Sequence, residues 1–167
     1  MHPFVLVGGW PGSGKTTLSR ALAAELGLAC LAKDEVKEAL MDAVGAPKDV
    51  PASRDLGVAA VHAVLRMARG CPGAVIDSTW YAYTLPLVLA LPGPCVEVRC
   101  RVPVEVARER YHARPRDARH LDGQRSHDEL WGAAVDPLGV GPLVEVDTSG
   151  PVDAAALSAT IRGLVGL

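Results

Sequence analysis

Residues 8–17 read GGWPGSGKTT. Gly9, Gly14, Lys15 and Thr16 satisfy the spacing G-x-x-x-x-G-K-[ST]. Upstream, Phe4 to Val7 is an apolar run of strand length. Downstream, Lys15 to Leu26 places Leu18, Ala21, Leu22 and Leu26 on one helical face, and Gly27 is a helix stop. A glycine loop between a strand and a helix is the setting in which this spacing cradles phosphates. The glycines let backbone N–H groups turn inward, and the helix N-terminus adds a partial positive charge. Lys15 reaches the outer phosphates, and the Thr16 hydroxyl ligates Mg2+. Gly9, Gly12, Ser13, Gly14, Lys15, Thr16 and Thr17 form the expected site for ATP or GTP.

Outward from the loop, strand-length apolar runs alternate with helical patterns. Strands are expected at Leu28 to Leu31, Gly73 to Asp77, Cys95 to Val102 and Leu143 to Val146. Helices are expected at Asp34 to Val44, Arg54 to Arg69, Pro103 to about Arg114, and Val152 to Leu164, with a loop at Lys48 to Ser53. This alternation predicts an α/β fold: a parallel five-stranded sheet with helices on both faces. Ligands of such sheets bind beyond the carboxyl ends of the strands, so the functional residues should follow strands one to four.

At 167 residues, 49% apolar and 22% charged, the chain reads as one globular domain over 1–167. A net charge of −2 speaks against long nucleic-acid tracts. Cys30, Cys71, Cys95 and Cys100 form no C-x-x-C pair and read as reduced thiols of a cytoplasmic protein. MHPFVLVGG has the pattern of a first strand rather than a signal peptide. Ser78 to Val96 is uncharged, but Pro86, Pro92 and Pro94 break it; it reads as a short buried helix and turn, not a membrane span.

Two acids fall where the strands end. Asp34, in LAKDEVKEAL, can accept the proton of an acceptor hydroxyl, or it can cap its helix. Beside it, Lys33 or Lys37 can grip the acceptor or a phosphate on it. Asp77, in AVIDSTW, can hold Mg2+ through water, or simply end its strand. Trp80, Tyr81 and Tyr83 are three of only seven aromatics; they can stack on a ring of the acceptor or fill core.

Eight of the 13 arginines lie between Arg99 and Arg125. Arg110 and Arg114, four apart, are expected on one helix face at the entrance to an arginine-rich lid at about 115–126. There they can neutralise a transferring phosphoryl group, or pair with Glu105 and Glu109 on a solvated face. Arg116, Arg119 and Arg125 belong to the lid itself. His120 and His127 can line the acceptor site or play no chemical part.

These motifs together resemble the P-loop kinases of the polynucleotide-kinase-like, zeta-toxin and chloramphenicol-phosphotransferase group. GWPGSGKTT, KDEVK and VPVEVARERYHAR look closest to the bacteriophage polynucleotide kinase domain. VIDSTW fits the wider group better, and LVEVDTSG resembles the last strand and adenine-side loop of its small-molecule kinases. The resemblance implies a P-loop NTPase fold, Lys15 and Thr16 on nucleotide and magnesium, Asp34 as general base, and Arg110 and Arg114 as pre-lid arginines. Lys37 falls where polynucleotide kinases carry an arginine that grips the acceptor's phosphate. The activity implied is ATP-dependent phosphorylation of a hydroxyl on a small molecule such as an antibiotic, nucleoside or metabolite. A 5′-hydroxyl kinase of nucleic-acid or nucleotide ends and a non-enzymatic nucleotide-gated switch are the alternatives. Sequence leaves the acceptor, the ATP or GTP preference and the oligomeric state open.

Overall fold

A computed structural model of the chain describes residues 2–115, 117–132 and 136–166. Arg116 lies outside the described residues. Five strands run parallel in the order β2-β3-β1-β4-β5: β1 (Phe4–Gly8), β2 (Ala29–Ala32), β3 (Ala74–Asp77), β4 (Cys95–Arg101) and β5 (Leu143–Asp147). The five expected strands are all present, shifted by at most one residue at their ends.

Helices α1 (Lys15–Leu26) and α6 (Ala154–Leu164) cover one face of the sheet. Leu18, Leu22, Leu157 and Ile161 bury there against Val5, Val7, Val75, Val96 and Val98. Helices α3 (Val50–Ala68) and α4 (Leu85–Val88) cover the other. Val61, Val64, Leu65 and Val88 pack there against Phe4, Leu6 and Ile76. Each such side chain, removed from water, contributes about 1.5–3 kcal/mol. β1 is buried along its whole length because it is covered on both faces, which is why its sequence is a continuous apolar run rather than an alternating one. Helix α2 (Lys33–Val44) packs on α3, and α5 (Val104–Ala113) follows β4.

Helix α3 begins at Val50, so of the loop expected at Lys48 to Ser53 only Lys48 and Asp49 precede the helix, and Val50 to Ser53 form its first turn. Asp49 caps it by accepting the Ala52 N–H at 2.8 Å, and Pro51 sits where its missing N–H costs nothing. Asp153 likewise caps α6 and moves its start from Val152 to Ala154. Ser78 to Val96 is a short turn, the single-turn helix α4 and a return to β4. No helix among the described residues is long and apolar enough to cross a membrane. All four cysteines are free.

The register fixes where the site must be. Val7 and Ala32 both pair with Asp77. The loop after β1, the acid ending β3 and the first residues of α2 therefore meet at one edge of the sheet.

Candidate active site

The phosphate loop joins β1 to α1. Gly9, Gly12 and Gly14 have φ of 141°, 77° and 87°, the left-handed side that glycine adopts freely. Gly12 also lies against α5: a methyl group there would sit 2.1 Å from the Ala107 carbonyl oxygen. The Lys15 ammonium folds back over the loop, donating to Gly9 O at 2.9 Å and Trp10 O at 2.7 Å. Burial lowers its pKa from the ordinary value, and the Asp77 carboxylate is the strongest opposing influence. Thr16 Oγ1 donates to Asp77 Oδ2 at 2.6 Å. Burial raises the Asp77 pKa, with Lys15 and the Thr16 bond pulling the other way. Thr17 is exposed on the next position of α1. Behind the loop, Cys100 packs on Gly9, and burial pushes its thiol up to about 12.

In front of the loop opens a cavity of about 500 Å³. Lys15, Thr16 and Asp77 line one part of it; Lys33, Asp34 and Lys37 from α2 line another. The size suits a small molecule. Asp34 does not cap its helix: Ala32 holds the cap position with no side-chain bond, and the Asp34 carboxylate pairs with Lys33 at 2.7 Å. Lys37 is only 2% exposed, and its ammonium donates to Ser53 Oγ at 2.7 Å.

Tyr81 and Tyr83 reach the cavity, their rings stacked with centroids 6.1 Å apart, and Val58 and Val61 of α3 lie on the same lining. Trp80 does not join them. It is 5% exposed in the α3-side core, and its Nε1 donates to Val7 O at 3.1 Å. The expectation that it binds the acceptor is corrected: with an N–H partner waiting on β1, the indole is worth more as core.

The two pre-lid arginines separate. α5 ends at Ala113, and Arg114 is already extended (φ −77°, ψ 136°) because Pro115 follows it. The shared face expected at i and i+4 is therefore lost. Arg114 lines the cavity with its guanidinium 5.1 Å from the Tyr111 ring centre. Arg110 turns to the loop after β5, donating to Thr148 O at 2.8 Å and Ser149 O at 2.6 Å, and is not part of the cavity lining.

In and just beyond the segment expected as a lid, the described residues form short turns at Ala118–His120 and Asp122–Gln124, then a wide turn at Asp128–Gly132. Arg119 faces away, held by Asp117 and Asp42; its bonds lower the Asp117 pKa to about 2. Arg125 lines the cavity. His120 is 1% exposed, with Nε2 2.8 Å from Glu38 Oε1, and is a packing element rather than a loop histidine. His127 is exposed beside Arg108. Sequence reading missed Ser53, Arg54, Tyr111 and Glu129 on the cavity wall, and Arg54 pairs with Glu129 across it. It also missed Trp131, whose ring meets Tyr111 edge-on at 5.3 Å and ties the last turn to α5. The D-x-P-x-S start of α3 was the available signal for Ser53.

The 2-3-1-4-5 sheet with its glycine loop and facing cavity defines a P-loop nucleotide-binding protein with the architecture of the small P-loop kinases. Residues 4–135 match the model of the AAA domain family, and the chain belongs to that family. A crystallised candidate kinase from Chloroflexus aurantiacus is 28% identical, with a TM-score of 0.78 over 98% of each chain. A gluconokinase from Sinorhizobium meliloti (21% identical, TM-score 0.63, 96% of this chain and 94% of that one) shares the fold. So does a shikimate kinase from Acinetobacter baumannii (20%, 0.60, 99% and 93%). An uncharacterized protein of Mycobacterium tuberculosis is 34% identical over 125 residues, 65% of this chain and 25% of its own length. The chain thus spans about a quarter of the curated relatives it matches.

Proposed function

We propose that the chain, read as one kinase domain, transfers the γ-phosphate of ATP to a hydroxyl of a small molecule. The observation that carries this is the placement of Asp34 on the same cavity of about 500 Å³ as Lys15, Thr16 and Asp77. A kinase needs a triphosphate grip and, across a space of molecular size, a base for the incoming alcohol. Two fold neighbours, the gluconokinase and the shikimate kinase, carry names of small hydroxylated acceptors, which is the same class.

Asp34 accepts the hydroxyl proton as the alcohol oxygen attacks, and its ion pair with Lys33 holds the carboxylate in place until then. The Lys15 ammonium leaves the carbonyls of Gly9 and Trp10 for the phosphate oxygens. Arg114 and Arg125, on the same lining, neutralise charge on the group in transit. The Thr16 hydroxyl and the Asp77 carboxylate, 2.6 Å apart, are hard oxygen donors of the kind that hold a largely hydrated Mg2+. When bound, that ion neutralises phosphate charge. The Tyr81 and Tyr83 rings and Val58 supply an apolar wall for the body of the acceptor.

The test is incubation with γ-labelled ATP and a panel of sugars, antibiotics, nucleosides and oligonucleotides, followed by identification of the labelled species. Asp34→Asn should lower turnover on the labelled acceptor by ~10²-fold or more while nucleotide affinity stays within about twofold. Label on oligonucleotide ends alone, or turnover unchanged in Asp34→Asn, overturns the proposal.

A further inference from the structure

Thr148, just beyond β5, is one of the most constrained residues of the nucleotide edge. Its N–H donates to Arg101 O at 2.9 Å, continuing the β4–β5 ladder. Its carbonyl accepts from Arg110 Nη1. Its hydroxyl, 6% exposed with the rest of the residue, lies 2.6 Å from Ser13 O and 3.1 Å from Arg101 O. The single hydroxyl hydrogen goes to the nearer oxygen, that of Ser13. Ser149 is tied down in turn by Arg110 Nη2 and by its own N–H donating to Asp147 Oδ1 at 2.8 Å.

The consequence is geometric. A trans peptide is planar, and its C=O and N–H point in opposite directions. Fixing the Ser13 carbonyl toward Thr148 aims the N–H of Gly14, on the other side of the same peptide plane, away from Thr148. Gly14 has no side chain to resist rotation of that plane, and its φ of 87° lies in a region glycine enters freely from either side. A loop built from three glycines therefore needs an external group to choose which way this amide faces.

We infer that Thr148 is a positioning residue for the phosphate loop: its hydroxyl orients the Ser13–Gly14 peptide so that the Gly14 amide faces the triphosphate, and Arg110 holds Thr148 in place. The inference rests on the reading of the loop as a triphosphate site. It gives Arg110 a role through the loop after β5 in place of one on the transferring group. It also links α5, and with it the lid, to the amide that meets the phosphates.

The experiment measures MgATP and adenosine affinity by titration, with thermal melting alongside, in wild type, Thr148→Val and Thr148→Ser. Thr148→Val keeps the shape and deletes the donor. It should weaken MgATP by roughly tenfold, the value of one misdirected charge-assisted bond. Adenosine, which carries no phosphate, should bind as before, and Thr148→Ser should restore MgATP. If Thr148→Val does not fold, Arg110→Gln serves: it releases Thr148 without touching the ladder and should weaken MgATP about threefold, again sparing adenosine. Wild-type MgATP affinity in Thr148→Val, or in Arg110→Gln where that variant stands in for it, overturns the inference. So does equal loss of MgATP and adenosine, or no recovery in Thr148→Ser. If wild type binds neither MgATP nor MgGTP, the phosphate-loop reading itself fails instead.

Discussion

Replacing Gly12 by alanine tests how α5 and the phosphate loop are joined. The new Cβ would stand 2.1 Å from Ala107 O, 3.0 Å from the carbon of that carbonyl and 3.1 Å from Tyr111 N. An ordinary C···O contact is about 3.3 Å, so α5 must retreat by roughly 1 Å, and the obstacle is backbone that cannot rotate aside. The φ of +77° adds a left-handed penalty of about 1–2 kcal/mol for any L side chain. Overpacking adds about 1–3 kcal/mol, giving about 2–5 kcal/mol in total. For a chain of this size each kcal/mol lowers Tm by about 2–4 °C, so the expected fall is roughly 4–20 °C by circular dichroism. MgATP affinity should fall as well, because the loop moves with the helix. Gly57→Ala is the control: mid-α3, with nothing within 4 Å and an ordinary φ, it should stabilise by about 0.5–1 kcal/mol. A Gly12→Ala protein that melts within about 2 °C of wild type and binds MgATP equally well would refute the claimed contact.

Burial raises the Asp77 pKa, so its contribution to stability is fully present below the ordinary carboxylate value and is lost as pH rises through the raised one. Asp77→Asn carries no such ionisation, so urea melts at pH 4 and pH 8 should show the variant gaining on wild type at the higher pH; a constant difference would refute this. Trp80→Phe removes the donor to Val7 O and should cost about 1–2 kcal/mol in urea unfolding. The same variant should leave KM for the acceptor unchanged, and a raised KM would return Trp80 to the site.

Residues that act where the chain leaves a strand were readable in the sequence, because an apolar run ending in a glycine loop or an acid marks both the strand and its exit. Lys15, Thr16, Asp34 and Asp77 were singled out in that way, and the structure places all four on one cavity. Trp80 was misjudged because proximity to a strand end does not say which side of the sheet a ring falls on. Arg110 and Arg114 were paired by helical spacing across a helix end that Pro115 had already marked. The far wall of the cavity was not legible, since Ser53, Arg54, Tyr111 and Glu129 come from three separate segments joined only by tertiary packing. His120 and Lys37 illustrate the same limit: ordinary polar residues in the sequence, they are buried because Glu38 and Ser53 meet them.

The strand that delivers the phosphate loop lies at the middle of the sheet, paired on both sides, while the strand leading to Thr148 forms an edge. Amide protons of Val5 to Val7 should exchange with deuterium only when the whole molecule unravels, whereas those of β5 can be released by local fraying. The two sides of the nucleotide cleft are thus unequal in kind: one is anchored to global stability, the other rests on the edge of the sheet and on the side-chain bonds that hold Thr148.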